Sequence, residues 1–114
     1  MKRDMDLCRR IMLAVENETG VEDAPERPVL AYHVALLQEA GLLDAIIQKD
    51  SKGNPANFHV KRLTWEGHEF LEASKDPTIW EKAKSSIIKP GASWTFGLLA
   101  EYLKAEAKKH LGLP

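Results

Sequence analysis

Cysteine is nearly absent: Cys8 stands alone among 114 residues, which excludes an intramolecular disulfide and any zinc site built from cysteines. It shares an apolar register with Met5, Met12 and Val15, so a small buried hydrophobe is expected there rather than a reactive thiol. Long apolar runs are missing as well. No stretch approaches the roughly 20 residues that a membrane-spanning helix needs, and "MKRDMDLCRR" continues into a charged amphipathic pattern instead of an apolar signal core. The expectation is a cytoplasmic protein without a membrane partner. There is no surplus of positive charge, the formal net charge being −1, which speaks against strong non-specific nucleic-acid binding, since Lys and Arg on phosphates supply most of that affinity. Ser/His/Asp sets, phosphate-cradling glycine loops and His/carboxylate clusters at metal-ligand spacing are also lacking. Neither an enzyme nor a cofactor is expected.

What is present suits one folded domain. With 44% hydrophobic and 29% charged residues the composition is that of an ordinary globular chain, not a disordered one. Residues 4–17 place Leu7, Cys8, Ile11, Met12, Ala14 and Val15 at helical spacing behind Asp4 or Asp6, either of which can accept from free N–H groups at the helix start. "ENETGVEDAPERP" reads as an acidic loop. A second helix begins near Pro28, turns Leu30, Val34, Leu37 and Leu36 inward, and ends at Gly41 in a left-handed cap. "LLDAIIQ" and "NFHVKRLT" flank the turn-rich "KDSKGNPA" and predict an antiparallel hairpin. Thr64 then caps a helix that buries Trp65, Phe70, Leu71 and His68. Asp76 and Pro77 open a further helix with Trp80, Ala83 and Ile87 inward, "KPGAS" breaks the chain, and a last helix covers 94–111.

Two segments sharpen the fold. "YHVALLQEAGLLDA" resembles the recognition-helix signature of winged-helix regulators of the arsenic-repressor type, in which an apolar helix ends in Ala-Gly-Leu and passes into a strand. "RLTWEGHEFL" resembles the segment that closes the wing and starts the next helix in such proteins. Taken together with "MKRDMDLCRRIMLAVE" and "DPTIWEKAK", the chain is similar to domain-of-unknown-function family 2513, small proteins of bacteria, phages and prophages. The resemblance implies a bacterial or phage setting and carries no catalytic residues. The expected fold is mainly α with a small β-hairpin (α+β): a winged helix-turn-helix over residues 1–76, with a helical extension over 77–114 packed on the same domain.

The functional expectation is a DNA-binding regulator, by analogy of fold. Recognition helices read bases with the outward side of their N-terminal half, and here that face offers Arg27, Ala31, Tyr32, Ala35, Gln38 and Glu39. Arg27, Tyr32 and Gln38 are the candidates for the groove, and Lys49, Lys52, Lys61 and Arg62 on the wing are the candidates for phosphates. Ala31 and Ala35 stand where a hydroxyl and a cation would be expected, which keeps open a second reading as a protein-interaction module. The stripe Trp94, Leu98, Tyr102 and Leu103 is either a docking surface for the last helix or a homodimer interface.

Overall fold

The computed structural model describes residues 1–88 and 95–112. The expected break at 89–93, and Trp94, lie outside the described residues. The fold class is α+β: five helices and one two-stranded antiparallel hairpin among the described residues, in the order α1 (Met5–Asn17), α2 (Arg27–Glu39), β1 (Leu43–Lys49), β2 (Pro55–Leu63), α3 (Trp65–Ser74), α4 (Pro77–Ser86) and α5 (Phe96–His110). No helix among the described residues is long and apolar enough to cross a membrane. The chain divides into two compact units, Met1–His68 and Glu69–Pro114, with the boundary inside α3.

In the first unit, α1 starts where the Asp4 carboxylate accepts from the N–H of Leu7 at 3.2 Å, satisfying a donor that the helix cannot use internally. It buries Met5, Leu7, Cys8, Ile11, Met12 and Ala14. Removing side chains of this size from water is worth about 1.5–3 kcal/mol each for the larger ones. The helix ends at Glu18 in a left-handed conformation, φ 54°, a place that glycine fills at no steric cost.

The second helix ends as its sequence predicts. Gly41, at φ 77°, lets the N–H of Leu42 reach the carbonyl of Leu37 at 2.9 Å and its own N–H reach that of Gln38 at 3.0 Å. This is the paired bonding of a Schellman cap. The buried face of α2 is wider than expected, because the helix packs on α1 and on both strands. Ala31 is 0% exposed and His33 1%. At 100° per residue these two flank the Leu30, Val34, Leu37 stripe on opposite sides, so Ala31 is corrected from an outward to an inward position. His33 spans from α2 to the start of α1: Nδ1 lies 2.9 Å from the carbonyl of Val29, and Nε2 accepts from the N–H of Asp4 at 2.9 Å. That pair of bonds assigns the proton to Nδ1.

The hairpin is longer than expected and its tip shorter, spanning residues 50–54. Asp50 organises the tip, its carboxylate accepting from the N–H groups of Lys52 and Asn54, both at 2.9 Å. Irregularities in register fall between Asp44 and Ala45 and between Gln48 and Lys49.

The chain leaves β2 through Thr64. Its hydroxyl donates to the carbonyl of Gly41 at 2.6 Å and accepts from the N–H of Gly67 at 3.0 Å, joining the end of α2 to the start of α3. Gly67 sits so close to Leu42 that a Cβ there would lie 1.9 Å from the Leu42 carbonyl oxygen. Trp65 is corrected from buried to 75% exposed: it occupies the first helical position, where Thr64 and Gly67 already supply the contact with Gly41 and Leu42 after α2. His68 is corrected from buried to exposed, beside Glu16 at 3.9 Å.

In the second unit Asp76 caps α4, accepting from the N–H groups of Thr78 and Ile79 at 2.8 and 3.2 Å. Those hydrogen bonds hold its carboxyl below the ordinary value of 3.8, with His110 adding a smaller electrostatic effect. Phe70, Leu71, Ile79, Trp80, Ala83, Leu99 and Leu103 are buried, and Ile87 is half-buried. Thr95 caps α5 through the N–H of Leu98 at 3.1 Å, so the helix begins at Phe96.

A lysine-bearing hairpin clamped by the second helix

The residues expected in a DNA groove have other engagements. Arg27, at the start of α2, directs Nε to the Asn57 side-chain oxygen at 2.8 Å and a terminal nitrogen to the Phe58 carbonyl at 3.1 Å, and its guanidinium carbon lies 4.0 Å from the centre of the Phe58 ring. Gln38, near the other end of α2, accepts from the N–H of Ala45 at 2.6 Å. The helix therefore crosses the hairpin from the β2 edge to the β1 edge, with one polar side chain fastening each end. Tyr32 is half-buried with its ring edge-on to His33, centroids 5.3 Å apart. Of the six residues assigned to the outward face, only Arg27, Gln38 and Glu39 are exposed.

On the hairpin itself the four expected cations separate into two kinds. Arg62 faces Asp44 across the ladder and pairs with its carboxylate at 2.8 Å, so its charge is locally compensated. Lys49, Lys52 and Lys61 are exposed, and their ammonium groups have no hydrogen-bond or ion-pair partner among the described residues. They occupy three separated places: Lys49 at the end of β1, Lys52 in the tip, and Lys61 as the extra residue between the pairs Ala45–Val60 and Asp44–Arg62. An extra residue in one strand bends it and re-aims a side chain. The single carboxylate of the tip, Asp50, is turned onto backbone N–H groups.

Sequence reasoning found these lysines because turn segments between apolar arms are solvated. It missed the engagement of Arg27 and Gln38, whose partners lie 30 and 7 positions away and carry no periodic signal.

The C-terminal stripe is also resolved residue by residue. Leu103 is fully buried, Tyr102 half-buried and Leu98 46% exposed; Trp94 lies outside the described residues. Leu99, which the stripe left out, is the second fully buried leucine of α5. Cys8 is buried, and burial pushes its thiol up to about 12, so it stays protonated at neutral pH and is a poor nucleophile. Among the described residues no group of three His, Cys, Asp or Glu side chains is placed to hold a metal ion.

Residues 2–93 match the family described as "Hypothetical protein (DUF2513)". A Haemophilus influenzae protein described as "Uncharacterized protein" is 34% identical over 95 residues, spanning 76% of this chain and 79% of the relative. No solved structure matches. The matched span runs from the start of α1 through the hairpin and past α4, and on that extent the chain belongs to the DUF2513 family.

Proposed function

We propose that this chain is a small DNA-binding regulator of bacterial or phage origin, built on a winged-helix plan, that holds the duplex through its hairpin rather than reading it with α2. The observation that carries this reading is the set of three exposed lysines, Lys49, Lys52 and Lys61, without partners among the described residues on an ordered hairpin. Phosphate contacts need cations that are free to exchange counterions for phosphate oxygens. Base reading needs free donors and acceptors along a helix face, and α2 has spent Arg27 and Gln38 on the hairpin. The combination favours contact with the backbone and little discrimination between sequences.

The test is fluorescence anisotropy of a labelled 20-base-pair duplex at low salt. Saturable binding of similar strength on unrelated sequences is expected, weakened when Lys49, Lys52 and Lys61 are together replaced by Ala. Absence of binding to any duplex under those conditions overturns the reading.

A second reading, as a protein-interaction module, rests on two large apolar side chains of the first unit, Trp65 and Ile46, which are 75% and 50% exposed. Aromatic side chains of this kind anchor protein interfaces. Under that reading Trp65→Ala abolishes capture of the partner, and no duplex is bound with or without the replacement.

A further inference from the structure

A cleft of about 430 Å³ lies beside β2, between that strand, the end of α1 and the segment that follows it. Ile11, Val15, Val21 and Phe58 give it an apolar lining, and Arg27, Lys61 and Glu18 are its charged residues. Its size is within the range of roughly 300–1,000 Å³ in which proteins hold ligands. A strand edge lines one side.

The hydrogen bonds around β2 show which backbone groups of that edge are engaged. Ala45, the register partner of Val60, gives its N–H to the Gln38 side chain. Phe58, two residues earlier on β2, has its carbonyl taken by Arg27 and its N–H by the Asn57 side chain. Outward-facing groups recur every second residue along an antiparallel strand, so the next outward pair is the N–H and carbonyl of Val60. Outside the β1–β2 ladder neither takes part in a hydrogen bond among the described residues. N–H and carbonyl groups that point away from the ladder along a strand edge are a template for another strand.

We propose that this edge binds an extended acidic peptide segment as a third strand. Val60 supplies two main-chain hydrogen bonds, the apolar lining takes one side chain of the segment, and a carboxylate on it meets Lys61 and the terminal nitrogen of Arg27 that Asn57 and Phe58 leave unused. Strand addition of this kind draws affinity from the backbone and specificity from the side-chain positions. The Arg27 and Asn57 caps at Phe58 limit the pairing to a short stretch. The site is independent of the DNA reading and shares only Lys61 with it.

The probe is an acetylated, amidated hexapeptide of alternating Val and Glu, added to the ¹⁵N-labelled full chain. Shifts confined to residues 11–21 and 58–61, with slowed amide exchange at Val60, are expected. Lys61→Glu should weaken binding about tenfold or more, as loss and reversal of a charge contact allows, while Val60→Pro should weaken it about fivefold by removing one donor at an edge position where proline leaves the ladder intact. Equal binding of the Val/Lys hexapeptide or of a backbone N-methylated Val/Glu hexapeptide overturns the proposal, as does the absence of shifts at millimolar peptide. Concentration-dependent protection of Val60 in the protein alone also overturns it, since a second copy would then occupy the edge.

Discussion

Replacing Gly67 with Ala isolates the contact that joins the hairpin exit to α3. An added Cβ would lie 1.9 Å from the Leu42 carbonyl oxygen and 2.9 Å from its carbon, so backbone has to move by more than an ångström. That carbonyl already accepts from the N–H of Thr64 at 3.0 Å, and Thr64 in turn bonds Gly41 and Gly67. Displacing α3 costs about 1 kcal/mol for the cap, about 1 kcal/mol for the backbone hydrogen bond and about 1–3 kcal/mol for overpacking. The helix preference of Ala over Gly returns about 1 kcal/mol. The net loss is about 2–4 kcal/mol, or roughly 10 °C in Tm for a chain of this size. Thermal melts followed by circular dichroism measure it, with Gly97→Ala as the control, because a Cβ there meets only the Thr95 hydroxyl at 3.9 Å. Gly67→Ala melting at or above the wild-type temperature would refute the reasoning.

Three further outcomes follow from the same geometry. Arg27→Ala and Gln38→Ala should each lower stability by about 1 kcal/mol, as loss of their hydrogen bonds requires, and change duplex affinity far less than the lysine replacements; denaturant titration and anisotropy report the two effects separately. Glu18→Gly should stabilise by about 1 kcal/mol, because residue 18 holds φ 54°, a conformation costly for any residue with a Cβ, and the midpoint of urea unfolding checks it. The Cys8 thiol, raised from 9.0 to about 12 by burial, should resist a thiol reagent at pH 8 until the protein is unfolded. Its folded value exceeds its unfolded one, so the associated stability is complete below pH 9 and is lost as pH rises towards 12, at up to about 1.4 kcal/mol per pH unit.

Much of the first unit was legible because its signals are local. The caps made by Asp4, Gly41 and Thr64 act within a few residues of their own positions, and hydrophobic spacing located α1, α2 and both strands. Gly67 has no Cβ, but nothing local in the sequence names Leu42 as the backbone it meets. Ala31 was misplaced because a stripe of three apolar residues suggests a helix packed on one side, whereas α2 is held between α1 and the hairpin. Trp65 was misplaced for the converse reason: its size argues for burial, but a first-turn position already fixed by Thr64 leaves it outside. The candidate site was half legible. Which cations lie on the hairpin follows from sequence; which of them are free follows only from the pairing of Arg62 with Asp44 and the engagement of Arg27 with Phe58.

The most direct test of hairpin-mediated DNA contact is the salt dependence of duplex binding. Three phosphate contacts predict a slope of log affinity against log salt of about −2.7, falling by about 0.9 with each of Lys49→Ala, Lys52→Ala and Lys61→Ala. A slope left unchanged by these replacements, or lowered instead by Arg27→Ala, would contradict it.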